Sequence, residues 1–119
     1  MDINKLELPL FFREYYTKFT SLTPIQAKAV EAGLLQNKNQ LICAPTASGK
    51  TLIATMGIAN TLGKGKSLYL VPLKALANEK FKEYKALFEN TEYKVGLSLG
   101  DVDGDSGYLA QYDLIILTT

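Results

Sequence analysis

Two apolar periodicities alternate along this chain, one helical and one strand-like, and their order predicts the architecture. Residues 9–18, PLFFREYYTK, open with a proline suited to a first helical turn. They set Leu10, Phe11, Tyr15 and, just beyond, Phe19 at helical spacing, which predicts a lead-in helix. In the following SLTPIQAKAVEAGLLQNKNQ, Thr23 can cap a second helix and Pro24 takes its first position. Ile25, Ala29, Val30, Ala32 and Leu34 supply its buried stripe. The polar run from Asn37 to Asn39 turns the chain.

Residues 41–44 read as a short apolar strand, and a helix runs from about Lys50 to Leu62 before stopping at Gly63. A second buried strand is expected from Ser67 to Val71, a long amphipathic helix from Lys74 to Phe88, and strand-like YKVGLSL after it. A Gly/Asp-rich loop, GDVDGDSG, then leads to a last apolar strand, DLIILTT. Strands that are nearly all apolar, separated by helices long enough to cross over, imply a parallel sheet covered by helices. This is the doubly wound α/β class.

Composition fits that picture and narrows the partners. With 119 residues, 47% of them hydrophobic, the chain can bury the core of an ordinary single domain. Thirteen basic against twelve acidic residues leave a net charge of +1, so any charged partner must be met by local groups. The single cysteine, Cys43, lies in an apolar run and is expected to be a small core hydrophobe in a reducing compartment. No charged-then-apolar leader opens the sequence and no apolar run approaches the roughly 18 residues of a membrane span, so a soluble, cytoplasmic protein without a membrane partner is expected.

The chemistry sits in LICAPTASGKT. Ala44, then Pro45, Thr46, Ala47 and Ser48, then Gly49, Lys50 and Thr51 meet the pattern Gly/Ala, four residues, Gly-Lys-Ser/Thr. A loop whose successive N–H groups converge on one anion needs glycine where the backbone must come close, and Gly49 stands there. The helix opening at Lys50 aims its positive end at the same point. Lys50 can reach the β- and γ-phosphates, and the Thr51 hydroxyl can ligate Mg²⁺. These two are the candidate catalytic residues, and ATP with Mg²⁺ is the expected cofactor. A chance match has odds on the order of one in a hundred for this length, and the predicted strand before and helix after lower them further. Ala44 departs from the commoner glycine of the first position.

A phosphate loop alone does not name a reaction, and its flanks narrow the choice. Gln26, 23 residues before Gly49, carries an acceptor and two donors and could read the exocyclic amine and a ring nitrogen of adenine together. Pro72, Leu73, Lys74 and Ala75 follow a strand's carboxyl end and open a helix, where α/β sheets bind ligands and free amides suit a phosphate. Thr118 and Thr119 add hydroxyls at another strand end, so a nucleic-acid backbone could be followed without reading bases. The bland alternative for Lys74 and Lys80 is a solvated helix face paired with Glu83. The aromatics at 11, 12, 15, 16 and 19 could stack on a base or on adenine, though on one helix such residues more often form core. DVDGDSG superficially resembles a calcium loop, but Ser106 replaces the required glycine and Tyr112 the closing glutamate.

In order, LTPIQAKAV, APTASGKT, VPLKALANEK, GD and TT resemble the motifs of superfamily 2 helicases, particularly the archaeal DNA-repair branch related to the Ski-type RNA helicases. The resemblance runs from about residue 8 to the end. It implies a partial RecA-like P-loop domain over residues 23–119, preceded by a helical lead-in over 1–22. It also implies that Gln26 contacts adenine, that residues 44–51 hold the phosphates, and that residues 72–75, Gly100, Thr118 and Thr119 line a nucleic-acid track. Single-stranded or partly duplex nucleic acid is the implied partner, DNA favoured over RNA. The family's Asp-Glu pair, whose Asp helps hold Mg²⁺ and whose Glu activates water, has no counterpart here, nor has the second lobe with its arginines. The expectation is therefore the N-terminal part of a helicase motor, whose nucleotide binding by itself is weak or absent and which does not unwind. Two rivals remain. One is another P-loop phosphotransferase or NTPase, although no Asn-Lys-x-Asp guanine signature is present. The other is a non-catalytic module that self-associates through apolar surface.

Overall fold

Pro9 and Thr23 stand immediately before the first two helices of a computed structural model of the chain, which describes residues 6–16, 21–45, 49–99 and 111–118. Helix α1 spans Leu10–Tyr15 and α2 spans Pro24–Glu31, with a 3-10 turn at Leu34–Gln36. α2 is shorter than its apolar stripe suggests, because Gly33 adopts φ 107° and turns the chain. Ala32 thereby becomes an exposed cap residue, and Leu34 enters the 3-10 turn. Helix α3, Lys50–Thr61, ends where expected, just before Gly63 at φ 80°.

These helices share one core. Leu8, Phe12, Leu22, Ala29, Ile53, Met56 and Ala59 form a buried cluster, with Phe12 and Met56 wholly inaccessible. Burying each such side chain contributes about 2–3 kcal/mol. On α1 the buried residue is Phe12, and Leu10 points outward at 62% exposure, contrary to the expected stripe. Phe12 and Tyr16, one turn apart on one face, pack in this core together with Leu8, which precedes the helix. The Tyr15 side chain and Phe19 lie outside the described residues.

Two further expectations fail in this part of the chain. Residues 41–45 form no ladder among the described residues, and Leu41 is 89% exposed. An apolar run becomes a parallel strand only beside hydrogen-bonding neighbours, and among the described residues this run has no ladder partner. Cys43, expected in the core, is consequently exposed.

The remaining elements build a three-stranded parallel sheet, with β1 at Ser67–Val71, β2 at Val95–Ser98 and β3 at Leu114–Thr118 in the order β1-β3-β2. Helix α4, Lys74–Leu87, crosses back over all three strands and buries Ala77, Tyr84 and Leu87 from one face. Leu114, Ile115 and Ile116 of β3, the central strand, are buried. The Tyr69 ring meets Tyr84 at 5.6 Å, so Tyr69 faces α4. Alternation then turns Leu68 and Leu70 to the other side, where they are 61% and 57% exposed. Asp113 ties the starts of the strands together. Its backbone exchanges hydrogen bonds with Lys94 and Ser67, and its carboxylate accepts from the Lys94 N–H at 2.9 Å.

The parallel α/β expectation is met. The chain divides into two compact units, Met1–Asn60 and Thr61–Thr119, and each is described by itself.

Candidate nucleotide site and strand-end residues

In the first unit the glutamine turn and the phosphate loop are bonded to each other. Gln26 is the third residue of α2, and its Oε1 accepts from the Thr23 N–H at 2.8 Å, which is the reciprocal half of a capping box. Its Nε2 donates to the Gly49 carbonyl at 3.0 Å, 23 residues along the chain. The side chain is 4% exposed. One amide therefore caps a helix and clasps the loop, keeping one N–H and one acceptor lone pair for a further partner.

Gly49 has φ 90°, and a Cβ there would stand 2.4 Å from Gln26 Nε2. Both facts demand glycine, since a side chain would be strained and would collide with the clasp. Immediately after it α3 opens with Lys50 and Thr51, both exposed. Ala44 is half-buried and Pro45 exposed, while Thr46, Ala47 and Ser48 lie outside the described residues.

A cavity of about 350 Å³ adjoins the clasp, lined by Tyr16, Ser21, Thr23, Gln26, Gly49, Thr51 and Leu52. It gathers one aromatic ring, one carboxamide and, where the loop passes into α3, Gly49, Thr51 and Leu52, while Lys50 is not among its walls. Motif spacing left the aromatic of this site unassigned among five candidates. The structure separates two of them by position along one face: Phe12 is committed to the core, whereas Tyr16, one turn later, reaches the cavity with its ring 4.7 Å from that of Phe12. Ser21 was also missed, and nothing in its sequence neighbourhood marks it.

In the second unit the parallel register sets Val71 beside Thr118. Residues 72–75 therefore leave the sheet at the same edge as the end of β3. Pro72, Leu73, Lys74 and Ala75 are all exposed, and Leu73 makes no side-chain cap to α4. The opening amides of that helix are thus not bound by a cap side chain. Lys80, by contrast, pairs with Glu83 at 3.1 Å, the ordinary helix-surface arrangement. Gly100, Thr119 and the GDVDGDSG loop lie outside the described residues.

Comparison with known proteins now settles the family. The model of the DEAD/DEAH box helicases matches residues 23–119. This chain belongs to the DEAD/DEAH box helicase family. Among curated relatives, a protein named ATP-dependent DNA helicase Hel308 from Pyrococcus horikoshii is 47% identical over 122 residues, covering 99% of this chain and 17% of the relative. Its namesake from Pyrococcus abyssi is 50% identical over 99 residues, 82% of this chain and 14% of that one. The Methanocella arvoryzae protein of the same name is 41% identical over 126 residues, spanning 100% and 17%. The chain thus spans less than a fifth of these relatives. A solved structure described as a hypothetical ATP-dependent RNA helicase from Sulfolobus tokodaii aligns with TM-score 0.66 at 24% identity, over 91% of this chain and 32% of that one. That likeness establishes the helicase-type α/β fold.

A lone hydroxyl such as that of Thr51 is of the oxygen type that a hard cation takes as a ligand. Among the described residues no cluster of three His, Cys, Asp or Glu is available, and the Thr51 hydroxyl is an exposed oxygen at the first turn of α3. Among the same residues no helix is long and apolar enough to cross a membrane.

Proposed function

We propose that this chain is the part of an ATP-dependent DNA helicase that binds the nucleotide and touches the DNA backbone. It corresponds to a helical lead-in, residues 1–22, and the opening of the first RecA-like domain, residues 23–119. The observation that carries the reading is the clasp between Gln26 and Gly49, which ties an adenine-reading side chain to the loop that holds phosphates.

In this reading adenine enters the cavity between Tyr16 and Gln26, stacking on the ring and using the remaining N–H and lone pair of the carboxamide. The N–H groups of the loop over residues 44–51 and the positive end of α3 neutralise the phosphates, with Lys50 as a point charge. Thr51 would supply one oxygen ligand to Mg²⁺, which would offset the negative charge of the phosphates. Residues 72–75, Gly100, Thr118 and Thr119 follow the sugar-phosphate backbone, a role supported for residues 72–75 and Thr118 by their place at one end of the sheet and by the uncapped start of α4. DNA is favoured over RNA because the relatives named above are called DNA helicases. The carboxylate pair and the second lobe needed for hydrolysis and unwinding are not encoded in these 119 residues. Leu68 and Leu70, exposed on β1, are the surface through which isolated copies self-associate.

Titration with a fluorescent ATP analogue and Mg²⁺ tests the nucleotide assignment. Saturable binding is expected to weaken at least about tenfold in Lys50→Ala and to be displaced by ATP far better than by GTP. Binding that survives Lys50→Ala, or that GTP displaces equally well, would refute it. Strand displacement by the isolated chain would refute the division of labour.

A further inference from the structure

The larger concavity of the second unit, about 670 Å³, has no part in the proposed nucleotide or DNA contacts. Its principal walls are Phe81, Lys82 and Lys85 of α4, Phe88 just beyond, and Tyr93 and Lys94 leading into β2. The strands are parallel, and α4 starts beside their carboxyl ends and runs back across them. Its 14 residues span about 21 Å, which sets this groove at the sheet edge opposite residues 72–75 and Thr118.

Charge distinguishes this groove from a bare apolar hollow. Lys82, Lys85 and Lys94 line it against one carboxylate, Glu89, whereas the whole chain is nearly neutral with 13 basic and 12 acidic residues. Two acidic residues of α4, Glu79 and Glu83, lie outside these walls, and Glu83 is engaged by Lys80. Lys66 donates to the Tyr112 carbonyl, and Tyr112 is another wall residue, so a fourth ammonium group lies near the same edge. An anionic partner is what this field attracts.

The rings argue against a nucleic-acid strand as that partner. Lys85 Nζ stands 5.5 Å over the Phe81 ring. The Tyr112 ring presses on Gly96, within 2.6–2.9 Å of where a Cβ would be. Phe88 and Tyr93 are inclined at 60° with centroids 6.3 Å apart. With Lys85 over Phe81, Phe88 buried and Tyr112 against Gly96, little open ring face is left among these aromatics for bases to stack on, as they do in single-strand binding. What remains is an aromatic floor able to take an aliphatic or aromatic side chain, rimmed by ammonium groups. We propose that this groove docks an acidic segment of a partner protein through one apolar anchor residue, with Lys82, Lys85 and Lys94 pairing its carboxylates. The proposal is independent of the nucleotide site.

Fluorescence anisotropy on the whole chain tests it. The probe is a fluorescein-labelled peptide of about twelve residues, all Glu and Asp except for one central phenylalanine. Saturable binding is expected, weakened at least about tenfold by the double variant Lys82→Glu/Lys85→Glu, by Lys94→Glu, and by replacing the peptide's phenylalanine with alanine. All three lysines are exposed, so the variants should keep the parent circular dichroism spectrum. An unlabelled oligothymidylate should not displace the peptide. The proposal is overturned if binding does not saturate, if it is unchanged in the charge-reversed variants, or if oligothymidylate competes for the groove.

Discussion

Replacing Gln26 by methionine isolates the clasp that joins the glutamine turn to the phosphate loop. Methionine matches glutamine in length and in helix propensity but offers no comparable hydrogen bonding, so packing and local propensity are nearly unchanged. Two hydrogen bonds disappear, from the Thr23 N–H at 2.8 Å and to the Gly49 carbonyl at 3.0 Å. Each is worth about 1 kcal/mol net, and because Gln26 is only 4% exposed, water cannot fully replace either partner. A loss of about 2–3 kcal/mol follows, to be read as the shift of a urea-denaturation midpoint at constant slope. A local readout should move with it: the Thr23 amide, deprived of its acceptor, should exchange with deuterium roughly tenfold faster, as expected for about 1.4 kcal/mol of lost protection. A loss below about 0.5 kcal/mol, with Thr23 exchange unchanged, would show that the carboxamide does not fasten the loop.

Other substitutions probe separate joints of the structure. Asn60→Ala removes a buried amide that donates to the Leu35 carbonyl at 3.0 Å and to Asn37 Oδ1 at 3.2 Å, and should destabilise by about 1–3 kcal/mol in thermal unfolding. Gly96→Ala would drive a methyl group into the base of the Tyr112 ring, with Cγ 2.8 Å away, and a loss of about 1–3 kcal/mol by urea titration is expected because that end of the ring cannot swing aside. The coupling between Lys80 and Glu83, whose carboxylate is half exposed, should stay under about 0.5 kcal/mol in a double-mutant cycle and vanish in high salt.

Local sequence determined much of this protein. The helix starts at Pro24, Lys50 and Lys74, the turn at Gly63, and the three strands from Ser67 onward follow from capping residues, glycine and apolar period, which act within a few positions of themselves. The Gly49-Lys50-Thr51 motif was legible because its residues are contiguous in the sequence. Tertiary structure decided what depends on residues far apart. The apolar run at 41–44 looks like a strand in isolation, yet a strand exists only through a ladder partner, and with none among the described residues Leu41 and Cys43 are exposed. The face of α1 that is buried was set by its packing with α2 and α3, which chose Phe12 over Leu10 and left Tyr16 for the cavity. Likewise a glutamine and a glycine 23 residues apart say nothing of each other until the fold lays one amide against the other's carbonyl.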